Sequence, residues 1–249
     1  MTAAPAQIDA AKELMRASGL VRRFGGLVAV NEVSLSVADR EIVGLIGPNG
    51  AGKTSLFNIL SGQLKPDSGT VSFAGKDITH ASVASCARAG IGRTFQIVKP
   101  LTSLTVHENV MVGALLHHPL AAARDKAAEI VRRVGMGSLL AQPAGSLTLE
   151  SRKRLELARA LSIEPRLLLL DEILAGLNAS EINESIHLIR SFAREDGLAV
   201  IMIEHNLHAV MSLADKVVVL DYGRKIAEGK PEAVVRNPAV IAAYLGSDD

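Results

Sequence analysis

The sequence predicts an α/β fold with a mainly parallel sheet at its core. Four short apolar runs, bounded by polar or turn residues, are typical of strands buried on both faces. They are residues 41–47, 166–172, 198–204 and 216–221. Helical patterns lie between them, and strands that alternate with helices predict a parallel sheet covered by those helices.

The segment before the first run favours a small antiparallel sheet. Residues 13–41 read ELMRASGLVRRFGGLVAVNEVSLSVADRE, which alternates loosely between apolar and polar positions and contains turn residues. We therefore expect antiparallel strands that flank the parallel core.

A helix is expected directly after the first core strand. The sequence KTSLFNILSG places Leu56, Ile59 and Leu60 on one helical face. Gly62 stands at the expected C-cap, because glycine adopts the left-handed backbone that ends many helices. A strand, a glycine-rich loop and a helix thus follow one another here.

A second helix is expected before the strand at 198–204. Ser180 is its predicted N-cap, and Gly197 marks its end. Ile182, Ile186 and Ile189 form an apolar stripe that would face the sheet.

Residues 97–162 lack buried-strand runs and favour helices. Pro119 is expected to open a helix that stops at Gly135, with its apolar stripe at Ala123, Ala127, Ile130 and Val134. We expect a single domain over residues 1–249, with residues 97–162 as a helical subdomain inserted into the core.

Composition and charge narrow the function classes. The 27 basic and 26 acidic residues nearly cancel, so we expect no nucleic-acid partner. The single Cys86 cannot form an internal disulfide, which favours a reducing, cytosolic compartment. No apolar run approaches the roughly 18 residues needed to cross a bilayer, and residues 1–16 lack the apolar centre of a secretion signal.

A phosphate-binding loop is predicted between the first core strand and its helix. Residues 47–54 read GPNGAGKT, a full match to G-x-x-x-x-G-K-[ST]. In such a loop the backbone amides surround phosphate oxygens, Lys53 reaches the β and γ phosphates, and Thr54 offers a hydroxyl to Mg²⁺. A glycine-rich turn that binds nothing is the alternative, and the strand and helix on either side argue against it. The expected nucleotide-binding residues are Gly47, Pro48, Asn49, Gly50, Ala51, Gly52, Lys53 and Thr54.

Two carboxylates follow the apolar residues of the second core strand. Asp171 and Glu172 emerge at the sheet edge where α/β proteins bind ligands. Asp171 suits the coordination shell of Mg²⁺, and Glu172 suits a group that accepts a proton from water or orients it. A solvated strand end followed by a turn is the alternative.

Together these residues resemble the ATP-binding subunits of ABC transporters, most like those of the branched-chain amino acid importers. The resemblance covers nearly the whole chain and includes GRTFQ, AGLN at residues 175–178, and IEHN. It implies that Gln96 touches Mg²⁺ and water, that His205 contacts the γ phosphate, and that Phe24 stacks on adenine. Taken alone, His205 could simply end a strand, and Phe24 could be an ordinary core or surface residue.

In this family each nucleotide lies between the phosphate loop of one subunit and a signature sequence, usually LSGGQ, of the other. Here the signature aligns with LTLES, residues 147–151. Thr148 keeps a hydroxyl that can contact nucleotide, and it is also a suitable N-cap. Leu149 and Glu150 replace two glycines, and Ser151 replaces the glutamine.

Glu150 raises a conflict at this position. A carboxylate in the first turn stabilises a helix, yet it opposes an approaching phosphate. Either its side chain turns away and the basic residues 152–154 compensate, or one of two sites in a heterodimer is degenerate.

The predicted function is that of a subunit that hydrolyses ATP to energise a membrane transporter, an importer of branched-chain or related amino acids. Glu172, His205 and Gln96 are the expected catalytic residues, and Thr54, Gln96 and Asp171 are the expected Mg²⁺ ligands. The resemblance implies transmembrane permease subunits, a second ATPase subunit and, indirectly, a substrate-binding protein as partners, with the chain on the inner face of the cell membrane. The alternative is a nucleotide-gated binding module with little hydrolysis.

Overall fold

The structure is a computed structural model that describes residues 13–96 and 98–245. The strands are β1 Glu13–Phe24, β2 Leu27–Ala38, β3 Ile42–Ile46, β4 Ser68–Phe73, β5 Lys76–Asp77, β6 Ile91–Arg93, β7 Leu167–Asp171, β8 Ala199–Ile203, β9 Lys216–Asp221 and β10 Arg224–Gly229. The helices are α1 Lys53–Leu60, α2 Val83–Ala89, α3 Val106–Ala114, α4 Leu120–Arg133, α5 Leu149–Leu161, α6 Ala179–Glu195, α7 Leu207–Leu213, α8 Pro231–Val234 and α9 Pro238–Leu245. Short 3-10 helices lie at Gly137–Leu139 and Ala144–Ser146.

The larger sheet has the strand order β10-β9-β3-β8-β7-β6 and is parallel except for β10. The four predicted core strands are confirmed, with bounds that agree within one residue. Register brings their carboxyl ends together, because Ile203 of β8 pairs with Leu45 of β3 on one side and with Asp171 of β7 on the other. The residues that follow these three strands therefore meet at one sheet edge.

The smaller sheet is antiparallel with the order β2-β1-β4-β5. The predicted N-terminal antiparallel sheet is confirmed. However, the sequence indicated only its first two strands, because β4 and β5 are short and follow no clear apolar alternation.

The central strands are buried on both faces. Leu167 and Leu169 of β7 belong to a hydrophobic cluster shared with the small sheet and α1, whereas Leu168 and Leu170 belong to a cluster shared with α4, α5 and α6. This alternation explains why the four residues of β7 before Asp171 are all leucine.

Two predicted helix ends were wrong. The N-cap of α6 is Asn178 and not Ser180, because its side-chain oxygen accepts hydrogen bonds from the Ser180 and Glu181 amides while Glu181 accepts from the Asn178 amide. The C-cap of α1 is Ser61, and Gly62 follows it with φ +75°.

Three helices, α3 to α5, lie between β6 and β7. The helix expected after Pro119 is confirmed as α4, and its apolar face is buried at Ala123, Ala127 and Ile130. A separate subdomain over residues 97–162 stays a prediction, and residue 97 itself lies outside the described residues, as do residues 1–12 of the segment considered for a secretion signal. Across residues 13–96 and 98–245, none of the helices is both long and apolar enough to cross a membrane.

Candidate functional site

The loop between β3 and α1 has a shape that requires glycine. Gly47 has φ +148° and Gly52 has φ +95°, which are values that L side chains rarely adopt. A Cβ atom would lie 2.1 Å from the carbonyl oxygen of Leu220 at Gly47, and 2.1 Å from that of Ala29 at Gly52. The loop is thus packed tightly against Leu220 and Ala29, and it leads into the N-terminus of α1, where an anion is stabilised.

Lys53 lies at the start of α1 with its side chain held by the loop. Its Nζ donates hydrogen bonds to the carbonyl oxygens of Gly47 at 2.7 Å and Pro48 at 2.9 Å. An ammonium group has three N–H donors, so one remains for a phosphate oxygen. Burial lowers the pKa of Lys53, while the charges of Glu172 and Asp171 oppose that shift.

A cavity of about 560 Å³ opens over this loop. Phe24 lies at its edge with 47% of its surface exposed, and the guanidinium of Arg22 lies 5.0 Å from the centre of the Phe24 ring. Nucleotide bases stack on exposed rings of this kind. The cavity brings together these predicted residues: Phe24, Asn49, Gly50, Ala51, Gly52, Lys53, Thr54, Gln96 and Glu172. The turn residue Tyr222 also lines it, and sequence reasoning had missed that residue.

Asp171 ends β7 and is 2% exposed. Arg93 Nη2 donates to Asp171 Oδ2 at 3.1 Å, but Oδ1 is buried without a hydrogen-bond partner. Burial raises the pKa of Asp171, and the charge of Arg93 opposes that shift. A buried carboxylate oxygen without a partner fits a hard divalent cation such as Mg²⁺. Asp171 lies at the same sheet edge as the phosphate loop, although β8 separates β7 from β3, the strand before that loop.

Glu172 joins the two other predicted catalytic residues. Gln96 Nε2 donates to Glu172 Oε2 at 2.7 Å, and His205 Nε2 lies 3.0 Å from Glu172 Oε1. Glu172 has φ +49°, a strained value for a non-glycine residue that is often found at functional sites. His205 does not line the cavity itself but reaches it through this contact.

The turn that carries Glu172 is held from two directions. One residue is Lys153, which the sequence analysis considered only as a basic neighbour of Glu150, and the other is Glu204, which it did not single out. Lys153 of α5 donates from Nζ to the Glu172 carbonyl oxygen at 2.9 Å. Glu204, which follows β8, accepts at Oε1 from the Leu174 amide at 3.0 Å. Burial raises the pKa of Glu204 to about 7. A buried lysine and a buried glutamate are the signals that could have found these supports, but burial becomes visible only in the structure.

The comparisons with known proteins agree with this geometry. Residues 30–175 match the ABC transporter family, and residues 224–249 match the branched-chain amino acid ATP-binding cassette transporter family. The chain belongs to the ABC transporter family. The resemblance proposed from the sequence is therefore confirmed, and we refer to the chain below as the cassette.

Curated relatives are similar over almost the whole cassette. It is 39% identical to the high-affinity branched-chain amino acid transport ATP-binding protein LivG of Escherichia coli, in an alignment that covers 94% of the cassette and 98% of the relative. It is 38% identical to the corresponding protein BraF of Pseudomonas aeruginosa, with the same coverage.

Solved structures confirm the fold class. A nucleotide-free ATP-binding cassette from an ABC transporter superposes with a TM-score of 0.85 at 31% identity, covering 93% of this cassette and 98% of that chain. An ATP-binding cassette of an ABC transporter in its ADP conformation gives a TM-score of 0.86 at 31% identity, covering 94% of this cassette and 99% of that chain.

The predicted signature residues lie apart from the cavity. Thr148 is the N-cap of α5, and its Oγ1 accepts from the Ser151 amide at 3.3 Å. Glu150 Oε1 pairs with Arg154 Nη2 at 2.7 Å, one turn further along α5, and the same guanidinium pairs with Glu184. The Glu150 carboxylate is thus paired by one of the basic residues expected to compensate it. A nucleotide contact at Thr148 stays a prediction.

Proposed function

We propose that the cassette hydrolyses Mg-ATP and thereby drives a membrane importer of branched-chain or related amino acids. The observation that carries the hydrolysis is the convergence of Gln96, Glu172 and His205 beside the phosphate loop. The names of the relatives, and the C-terminal match at residues 224–249, support the class of solute.

Nucleotide binding follows from the shape of the cavity. Adenine stacks on Phe24, and the loop amides with Lys53 hold the phosphates. Thr54, Gln96 and Asp171 are the side chains that would hold Mg²⁺, which supplies positive charge against the β and γ phosphates when bound.

Glu172 and His205 act on the attacking water. The Glu172 carboxylate orients the water and accepts its proton, and the imidazole of His205 contacts the γ phosphate. Gln96 contacts the same carboxylate. A movement of the segment that follows Gln96 would therefore change the position of the Glu172 side chain.

A permease helix would dock beside that segment. A groove of about 320 Å³, lined in part by Val83, Phe95 and Val112, lies between α2, α3 and α5. These three side chains are at least 45% exposed, and Leu101 nearby is 42% exposed. Exposed apolar side chains around a groove favour an amphipathic partner helix. The cassette would then lie at the inner face of the membrane as one of a pair, with Thr148 of each subunit facing the nucleotide of the other.

The test of hydrolysis is phosphate release by the purified cassette with Mg-ATP. Glu172→Gln is expected to retain ATP affinity and to lose turnover, because an amide of the same shape cannot take a proton. Glu129→Gln, on the exposed face of α4, is the matched control and should keep the parental rate. Parental turnover in Glu172→Gln would contradict the assigned role, and ATP-driven pairing of the unaltered cassette without phosphate release would favour the nucleotide-gated module instead.

A further inference from the structure

Arg93, the last residue of β6, lies at the centre of a buried polar cluster beside the catalytic site. Its side chain is only 8% exposed. Nη2 donates to Asp171 Oδ2 at 3.1 Å, while Nη1 donates to Asn58 Oδ1 at 2.7 Å, Ser61 Oγ at 2.8 Å and Gln63 Oε1 at 3.1 Å. One guanidinium thus connects the end of β7 to helix α1 and the residues after it.

Aromatic rings fix the plane of this guanidinium. Its central carbon lies 5.8 Å from the centre of the Phe57 ring and 5.1 Å from that of Phe95. Backbone pairing adds to the constraint, since Arg93 is in register with Leu169 of β7. A planar group held between rings and a strand loses little further freedom when it binds a carboxylate.

Asp171 needs such a partner whenever no metal is bound. A buried carboxylate is strongly destabilising unless it is paired. Among the described residues, Arg93 makes the ion pair with Asp171. Lys153 also exerts a favourable charge on Asp171, whereas Glu172 opposes it. Burial lowers the pKa of Arg93, so both partners are desolvated and depend on each other.

The pairing occupies one carboxylate oxygen only. Arg93 takes Oδ2, and Oδ1 stays without a partner. We propose that Arg93 is a positioning residue that serves as the counter-ion of Asp171 in the nucleotide-free cassette and orients the carboxylate so that Oδ1 is left for the metal. The metal part of this assignment rests on the proposed function, whereas the counter-ion part does not.

The counter-ion part is tested by a double-mutant cycle in thermal unfolding, without nucleotide and with EDTA. Arg93→Met is expected to lower Tm by roughly 10 °C, because it leaves a buried carboxylate unpaired. Adding Asp171→Asn to Arg93→Met should recover a large part of that loss. Arg93→Lys keeps the positive charge but lacks the planar guanidinium, so its Tm should lie between that of the parental protein and that of Arg93→Met.

Asn58→Ala is the matched control, because it removes a partner of Arg93 on α1 but leaves the carboxylate paired. Asp171→Asn should not rescue this variant. If Asp171→Asn does not raise the Tm of Arg93→Met either, Arg93 stabilises the protein only through its contacts with α1, and the proposal is overturned. This outcome does not depend on whether the cassette hydrolyses ATP.

The metal part is tested by the Tm gain on adding Mg²⁺ and ADP. Because the cation would replace the missing positive charge, Arg93→Met should gain more than the parental protein does. An equal or smaller gain would show that the cation does not take over the charge of Arg93 at Asp171, and it would overturn the metal part of the proposal.

Discussion

Replacing Glu150 with glycine separates helix stability from catalysis in the cassette. The change removes the ion pair with Arg154, at about 0.3–0.5 kcal/mol for a partly exposed pair one turn apart. It also removes a favourable charge near the N-terminus of α5, worth about 0.3–1 kcal/mol, and introduces a glycine penalty of up to about 1 kcal/mol. A total of roughly 0.6–2.5 kcal/mol corresponds to a fall in Tm of about 1–10 °C for a domain of this size.

The ATPase rate should stay flat or drop in the same variant. An unpaired carboxylate about 6 Å from a phosphate would oppose it by roughly 0.7 kcal/mol in water and about 3 kcal/mol at an effective dielectric constant near 20. In the structure the Glu150 carboxylate is paired with Arg154 at 2.7 Å, although it shares that guanidinium with Glu184. The pairing offsets part of its charge, so its removal relieves only part of this repulsion.

Phosphate release by the assembled transporter, measured beside Tm, checks both parts. Glu150→Gln is the control, because it removes the charge but avoids the glycine penalty. A rate increase approaching tenfold in either variant, equivalent to about 1.4 kcal/mol, would refute the reasoning and show that this carboxylate restrains the site.

Three further predictions concern other parts of the cassette. Lys53→Ala should weaken ATP binding roughly 10- to 100-fold through loss of a charge-assisted contact, and unchanged affinity in titration calorimetry would count against the loop assignment. A cysteine at Leu101 should cross-link to the permease while one at Glu195 does not, and cross-links only between cassettes would exclude the docking groove. The pKa of Glu204, about 7 in the folded protein, lies above its unfolded value, so stability should fall by about 3 kcal/mol as pH rises from about 4.5 through 7. Tm measured against pH should therefore fall less steeply in Glu204→Gln than in the parental protein. An equally steep fall of Tm with pH in both proteins would contradict a raised pKa for Glu204.

Much of the fold could be predicted because its signals are local. The apolar runs of the core strands and GPNGAGKT are short, continuous patterns whose physical meaning does not depend on distant residues. Asn178 and Ser180 are both good caps, and only backbone geometry selects Asn178.

The supports of the site could not be predicted, because they join residues far apart in the chain. Arg93 and Asp171 are 78 positions apart and meet only because β6 pairs with β7. The pairing of Glu150 with Arg154 could have been predicted from the sequence, because residues four apart lie on the same helix face. The pairing of Arg154 with Glu184 could not, because it depends on how α6 packs against α5. The order of the strands, which places Glu172 beside His205, is likewise a property of the folded chain.

The most direct test of the central claim is hydrolysis coupled to transport. The cassette would be copurified with its permease subunits, reconstituted into vesicles, and assayed for phosphate release and for uptake of leucine, isoleucine or valine, with Glu172→Gln as the matched inactive control. The account predicts that ATP drives uptake of at least one of these amino acids by the unaltered cassette and that both phosphate release and uptake disappear in Glu172→Gln. Uptake that proceeds equally well with Glu172→Gln, or a cassette that hydrolyses ATP but neither copurifies with a permease nor drives uptake, would contradict it.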